Sequence, residues 1–187
     1  MEKRSLLFIG TVLFLTLLAL SSLGCREETS RIEQLDGLSA REALNLANAW
    51  RQEHPEVSSY VTSEKIVFEF PGDTTRSIEL PPEEMVVSVA PYETETHTCS
   101  IHSISSCQGE LTQTTFRVTA VDSSGRVVFE DDKTTMESGF FDLWLPKGKE
   151  ILLTVAKGDK KAQQKIATRE GSKTCLTTLK LRPAEAS

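Results

Sequence analysis

The sequence contains few residues that could act as nucleophiles or soft metal ligands, and it lacks the short motifs of the common enzyme classes. Four cysteines and three histidines occur among its 187 residues. It has no glycine-rich phosphate loop, no serine nucleophile elbow and no HExxH pattern. These absences leave a hydrolase without support, and we do not expect the chain to be an enzyme, although metal-coupled thiol redox chemistry stays open.

The sequence also lacks a cluster of lysine and arginine. It has 27 acidic and 21 basic residues, which gives a formal net charge of −6 at pH 7. Nucleic-acid binding depends on basic side chains that neutralise phosphates. The chain is therefore not expected to bind nucleic acid.

The N-terminus has the layout of a secretory signal, with a basic start followed by an apolar run over residues 6–20. The pair Gly24-Cys25 resembles the lipobox of bacterial lipoproteins. That resemblance implies that residues 1–24 are a removed signal peptide and that Cys25 carries a lipid anchor. A soluble secreted chain and an uncleaved anchor are the alternatives, and all three place the protein outside the cytoplasm.

One short amphipathic helix is predicted near the start of the exported part. The polar residues 25–37 show no periodicity and indicate a flexible tether. Ser39 and Glu42 form a capping-box pattern, and Pro55 ends the apolar period. This N-terminal helical part, residues 38–63, must pack on a sheet or on a second copy of the chain.

From residue 64 onward the hydrophobic period changes to two. Short β-branched and aromatic runs alternate with turn residues up to residue 182, and residues 183–187 are expected to be a disordered tail. Many short strands without intervening helices predict a mainly β fold, an antiparallel β-sandwich or open barrel. The strand and turn rhythm of residues 118–155 resembles prealbumin-like sandwiches.

Soft metal donors are concentrated in the polar segment THTCSIHSISSCQGEL, which contains His97, Cys99, His102 and Cys107. On an extended chain, positions 97 and 99 project from the same face, about 6.5–7 Å apart. A turn would bring His102 towards them. Thiolate and imidazole together select Cu(I) or Zn(II) over hard ions, so a metal site is predicted with the choice of ion open.

A disulfide is the competing interpretation of these cysteines. If Cys25 is lipidated, three cysteines remain, and an odd number cannot pair fully within one chain. Closing Cys99 to Cys107 would stabilise the fold by roughly 2.5 kcal/mol, and closing Cys107 to Cys175 by about 4.5 kcal/mol. A thiol-disulfide reductase and a disulfide-stapled surface interaction module are the corresponding alternative functions.

Three blocks of the sequence resemble the CueP family of periplasmic copper-binding proteins. They are VSVAPYETETHTCSIHSISSCQGEL, GFFDLWLP and TCLTTLKL, and they run from about Met85 to Leu181. Every cysteine beyond Cys25 lies within them. The resemblance implies that copper is bound by three thiolates with histidine support, the residues being Cys99, Cys107, Cys175, His97 and His102.

The resemblance also implies a physiological role. The family suggests copper tolerance, with the chain acting as a store of copper or as its donor to a secreted enzyme. Cu(I) is the expected ion and zinc is the alternative. A homodimer formed through the N-terminal part is a further implication. The family is periplasmic, whereas a lipid at Cys25 would hold this chain on a membrane surface.

Overall fold

The computed structural model describes residues 29–184. The predicted signal peptide (1–24), the predicted lipidation at Cys25 and residues 185–187 of the predicted tail lie outside the described residues. Of the helices in the described range, none is both long enough and apolar enough to cross a membrane. The chain divides into two compact units, one that ends at Leu38 and one that begins at Ser39. In the first unit, residues 29–33 are helical.

Helix α1, Ala40–Glu53, begins with the capping box that the sequence predicts. The backbone N–H of Glu42 donates to the Ser39 hydroxyl, and the Glu42 carboxylate accepts from the Ser39 N–H at 2.8 Å. Its buried stripe consists of Ala40, Ala43, Leu44, Ala47 and Trp50. The Trp50 ring packs edge-on against the rings of Phe68 and Phe70. The helix therefore buries its apolar face against a strand, as its short length requires.

The described residues contain twelve strands after this helix. They are β1 Ser58–Val61, β2 Lys65–Phe70, β3 Thr74–Glu79, β4 Glu84–Val89, β5 His102–Ser103, β6 Thr115–Asp122, β7 Val127–Thr134, β8 Phe141–Pro146, β9 Glu150–Lys157, β10 Lys160–Ala167, β11 Cys175–Leu176 and β12 Arg182–Pro183.

These strands form three open sheets with the orders β3-β2-β1-β5, β12-β10-β9-β6-β7 and β11-β4-β8. The named pairings are antiparallel except that of β11 with β4, which is parallel. None of the sheets built from residues 29–184 closes into a barrel. The predicted class, a mainly β antiparallel fold preceded by a short helical part, is confirmed.

The main core lies between the five-stranded and the three-stranded sheets. Alternate side chains of β6, β8 and β9 point inward and are buried, as period-two patterning predicts. Five consecutive residues of β4 are buried, because both faces of this strand are covered. On one face β4 contributes to the sandwich core, and on the other Arg41 of α1 pairs with Glu84 at 2.8 Å.

The sheet arrangement determines where the metal-ligating segment lies. Strand β5, which contains His102, pairs with β1 at the end of the four-stranded sheet. Strand β11, which begins at Cys175, pairs with β4 at the end of the three-stranded sheet. The two sequence blocks that carry the cysteines therefore come together where the edges of two sheets meet.

Candidate metal centre

Four soft donors lie within reach of a single ion. Ligand atoms of His97, Cys99, Cys107 and Cys175 all lie within 4.8 Å of one another. The Sγ atoms of Cys99 and Cys107 are 3.6 Å apart. All three of these cysteines are free thiols. The structure thus brings together the two cysteines of the polar segment and the distant Cys175, which a local pattern could not have placed.

The threonine after β11 positions His97 beside Cys175. The Thr177 hydroxyl donates to the His97 carbonyl at 2.6 Å, and the Thr96 hydroxyl donates to the Thr177 carbonyl at 2.5 Å. These two hydrogen bonds hold residues 96–97 beside the chain that follows Cys175.

A second threonine, Thr174, anchors residues 100–102 of the metal-ligating segment through hydrogen bonds. Its buried hydroxyl donates to the Val61 carbonyl at 2.6 Å and accepts from the His102 N–H at 3.0 Å. Its own N–H donates to the Ser100 carbonyl at 3.0 Å. Thr174 therefore joins β1, the loop at residue 100 and β11 directly next to the Cys175 ligand.

Cys107 occupies a turn that crosses another loop at close range. Its N–H donates to the Ser103 carbonyl at 2.9 Å, and two residues later the Gly109 N–H donates to the Ser138 carbonyl at 2.7 Å. A Cβ atom added at Gly109 would lie 2.6 Å from the Gly139 carbonyl oxygen. Glycine is required at this crossing because any side chain would push the two loops apart.

The two histidines of the segment have different positions. The Nε2 atom of His97 is buried and has no hydrogen-bond partner among the described residues. His97 is also one of the four grouped donors, and a soft metal ion bound to its ring would fit this buried imidazole. His102 lies outside the group of four; its Nδ1 is 3.8 Å from the Cys175 sulfur, and its ring lies 4.5 Å from that of Phe140. His102 thus lies beside the group of four donors rather than within it.

The three thiols have unequal affinities for protons. A hydrogen bond from Cys175 lowers the pKa of Cys107, helped by bonds from His102 and His97. Donating to Cys107 raises the pKa of Cys175, together with burial. Burial is also the main cause of the raised pKa of Cys99. Among the three thiols, Cys107 is therefore the one whose surroundings favour the thiolate.

Two residues near the site carry no sequence signal that would have placed them there. Met136 packs against the buried cluster of Ala90, Phe140 and Cys175, against which Cys99 and Cys107 also pack. Arg51, from α1, donates to the Ile104 carbonyl at 2.7 Å. Both are distant in sequence from the cysteines, so only the tertiary structure brings them close.

A β-sandwich with three free thiols and an imidazole converging on one point defines a binding protein for soft metal ions. Residues 42–180 match the family described as periplasmic copper-binding protein CueP. The chain belongs to this family, so it is an extracytoplasmic copper-binding protein.

Comparison with solved structures agrees with the family match. The crystal structure of S.CueP is similar to this chain, with 33% sequence identity and a TM-score of 0.75. The alignment covers 83% of this chain and 97% of that one. No curated protein matches the sequence. The fold and the copper-binding class therefore rest on the family and on this solved relative.

Proposed function

We propose that the protein sequesters Cu(I) through the thiolates of Cys99, Cys107 and Cys175, with His97 beside them. The observation that carries this proposal is the convergence of these four donors within 4.8 Å. Thiolates prefer monovalent copper to hard ions, and three sulfurs suffice to surround it. His102 supports the site through its contact with the Cys175 sulfur.

The protein's contribution is a set of soft donors held together before the ion arrives. Copper competes with protons for sulfur, so binding releases the protons that the thiols hold. The threonine bonds at residues 174 and 177 hold the loop and the strand in register, which reduces the ordering required on binding.

Copper K-edge absorption of the loaded protein tests the ligand set. We expect the edge of monovalent copper and a shell dominated by sulfur. Divalent copper with a shell of only nitrogen and oxygen would contradict the proposal.

Zinc is the competing ion, because three cysteines and one histidine also form a common structural zinc set. We propose that Cu(I) is preferred, and the family's copper binding supports this choice. Equilibrating the Cu(I)-loaded protein with excess zinc tests it. Retention of copper is the expected result, and displacement by zinc would contradict it.

We propose that the physiological role is copper tolerance, as a store of copper or as its donor to a secreted copper enzyme. The support is membership of a periplasmic copper-binding family. A host strain that lacks the gene should grow less well on copper, and growth should return with the wild-type chain but not with Cys175→Ser. Equal growth of the two complemented strains would contradict this role.

We propose that a lipid on Cys25 anchors the protein to a membrane, on the strength of the Gly24-Cys25 pair after the apolar run. Mass spectrometry of the membrane fraction tests this: a lipid-modified N-terminal cysteine is expected. Recovery of the wild-type chain and of Cys25→Ser in the same soluble fraction would contradict it.

We propose that the chain acts by binding rather than by catalytic turnover. The clustering of all three thiols as potential ligands supports this, since none is set apart as a resolving thiol. Insulin reduction by the metal-free protein provides the test. Turnover above that of Cys99→Ser would contradict the proposal.

A further inference from the structure

Arg51, in the last turn of α1, reaches the turn that carries Cys107. Its Nη1 donates to the Ile104 carbonyl at 2.7 Å, and its Nη2 donates to Gln108 Oε1 at 3.0 Å. These two acceptors stand on either side of Cys107 in the sequence. A planar guanidinium can hold both at once because its donors form a rigid fork.

The same turn is anchored at each end by further bonds. The Ile104 N–H donates to the Ser59 carbonyl at 2.8 Å, and Ile104 is buried. The Gln108 side chain donates to the Glu137 carbonyl at 3.2 Å. Arg51 thus adds the one link between α1 and both flanks of the Cys107 turn within residues 29–184.

The positive charge of Arg51 is not paired with a carboxylate among residues 29–184. Both of its acceptors are neutral oxygens, and none of the ion pairs within residues 29–184 includes it. The negative charge of Cys107 acts to raise the pKa of Arg51, against the larger lowering effect of burial. The guanidinium therefore lies within electrostatic range of the Cys107 sulfur.

We propose that Arg51 is a positioning residue of the copper site, which holds the Cys107 turn and offsets part of the negative charge of the metal complex. This inference rests on the proposed binding of Cu(I) by three thiolates, a complex with a net charge of −2. A partly buried cation beside that complex stabilises it more than a fully solvated one would, because screening is weaker. Arginine also stays charged across the ordinary pH range.

Three variants of the full chain test this inference, each by anaerobic Cu(I) competition with a chromophoric chelator. Arg51→Met removes the charge and both bonds, whereas Arg51→Lys keeps the charge and loses the fork. Arg41→Met is the matched control, because Arg41 belongs to the same helix but pairs with Glu84 and lies over the Trp144 ring. Each titration is run at low and at high salt, with thermal melting to confirm folding.

We expect Arg51→Met to bind Cu(I) about tenfold more weakly than wild type, equivalent to about 1.4 kcal/mol. We expect Arg51→Lys to recover most of that loss and Arg41→Met to match wild type. The difference in Cu(I) affinity between wild type and Arg51→Met should become smaller at high salt, which a purely structural role of Arg51 would not produce.

Equal affinities of Arg51→Met and Arg41→Met would overturn the inference while leaving the proposed function intact. A loss in Arg51→Lys as large as that in Arg51→Met, with no salt dependence, would overturn the charge role. Should Arg51→Met fail to fold, the Cu(I) affinities of Arg51→Lys and wild type at the two salt concentrations test the inference instead. A wild-type chain that takes up no Cu(I) would overturn the proposed function as well.

Discussion

At the scale of single residues, the two histidines near Cys99 in the sequence, His97 and His102, have different roles. His97 is one of the four grouped donors and has a buried Nε2 without a hydrogen-bond partner among the described residues, whereas His102 is 2% exposed and lies beside the group, with its Nδ1 3.8 Å from the Cys175 sulfur. An unpaired buried nitrogen is costly until it finds a partner. The metal-free site is therefore expected to lose some local stability at His97 that copper restores.

This difference predicts unequal effects of substituting the two rings. His97→Asn should weaken Cu(I) binding about tenfold, since it removes the donor that lies within the group. His102→Asn should lower the melting temperature, because a buried ring packed on Phe140 is lost. Its Cu(I) affinity should fall less than that of His97→Asn. Chelator competition and thermal melting of both variants provide the measurement. Stronger loss of copper affinity in His102→Asn would reverse the assignment.

The sequence pattern indicated most of the metal-ligating side chains, but it did not show which of them meet in one site. His97, Cys99, His102 and Cys107 could be predicted together because they are neighbours along the chain. Cys175 could be added only through the family resemblance, since a parallel pairing with β4 leaves no local pattern. Arg51 could not be predicted at all, because nothing in α1 points to a loop more than 50 residues further along the chain.

At the scale of elements, the loop crossing at Gly109 and Gly139 determines where Cys107 lies. Gly109→Ala should cost about 1–3 kcal/mol of stability, because its Cβ would lie 2.6 Å from the Gly139 carbonyl oxygen. It should also weaken Cu(I) binding by displacing the Cys107 turn. Urea unfolding and chelator competition measure the two effects.

Gly125→Ala is the control for this substitution. Gly125 has a φ of +83° in an exposed turn with no atom within 4 Å of an added Cβ, so alanine there introduces backbone strain of about 1–2 kcal/mol without a clash. Copper affinity should be unchanged in Gly125→Ala. If both variants lose the same copper affinity, the crossing does not position the site.

Glu110, just beyond the Cys107 turn, stabilises the loop that precedes His97. Its carboxylate accepts from the Thr94 hydroxyl and from the N–H groups of Glu93 and Thr94. These bonds, with the Thr94 hydroxyl first, lower the pKa of Glu110 from 4.5 to about 2. The stabilisation is therefore present above about pH 4.5 and is lost as the pH falls towards 2.

Glu110→Gln should be less stable than wild type at pH 7, by at most about 1 kcal/mol because the group is exposed. The difference in melting temperature should shrink steadily as the pH falls from 4.5 to 2. Melting curves across that range provide the measurement, and Glu79→Gln, on the exposed β3, is the control. A difference as large at pH 2 as at pH 7 would show that the charge of Glu110 is not responsible.

Secondary structure followed the sequence most closely where one physical signal dominated. The capping box at Ser39 and Glu42 placed the start of α1, and period-two burial placed β6, β8 and β9. Strand β5 was not predictable, because tertiary hydrogen bonds rather than periodicity create it. Strand β11 begins the run CLTTLKL, whose pattern predicts a strand, but its parallel pairing with β4 was not predictable. Those two strands are the ones that bring the cysteines together.

At the scale of the whole molecule, the site depends on the meeting of two sheet edges. His102 belongs to one sheet and Cys175 to another, and Thr174 bonds to both the β1 strand and the loop at residue 100. Neither sheet alone carries a complete ligand set. The homodimer and the lipid anchor stay predictions at this scale, and sedimentation of the purified protein would test the first.

The proposed function requires three thiolates on one chain to hold one copper ion. The most direct measurement is anaerobic Cu(I) titration of the reduced full chain against a chromophoric chelator, beside Cys99→Ser, Cys107→Ser and Cys175→Ser. Cys25→Ser is the matched control, because it makes the same change elsewhere in the chain. We expect one tight equivalent of Cu(I) in wild type and in Cys25→Ser, and its loss in the other three variants. Failure of the wild-type chain to compete with the chelator, or full retention of the equivalent in all three variants, would contradict it.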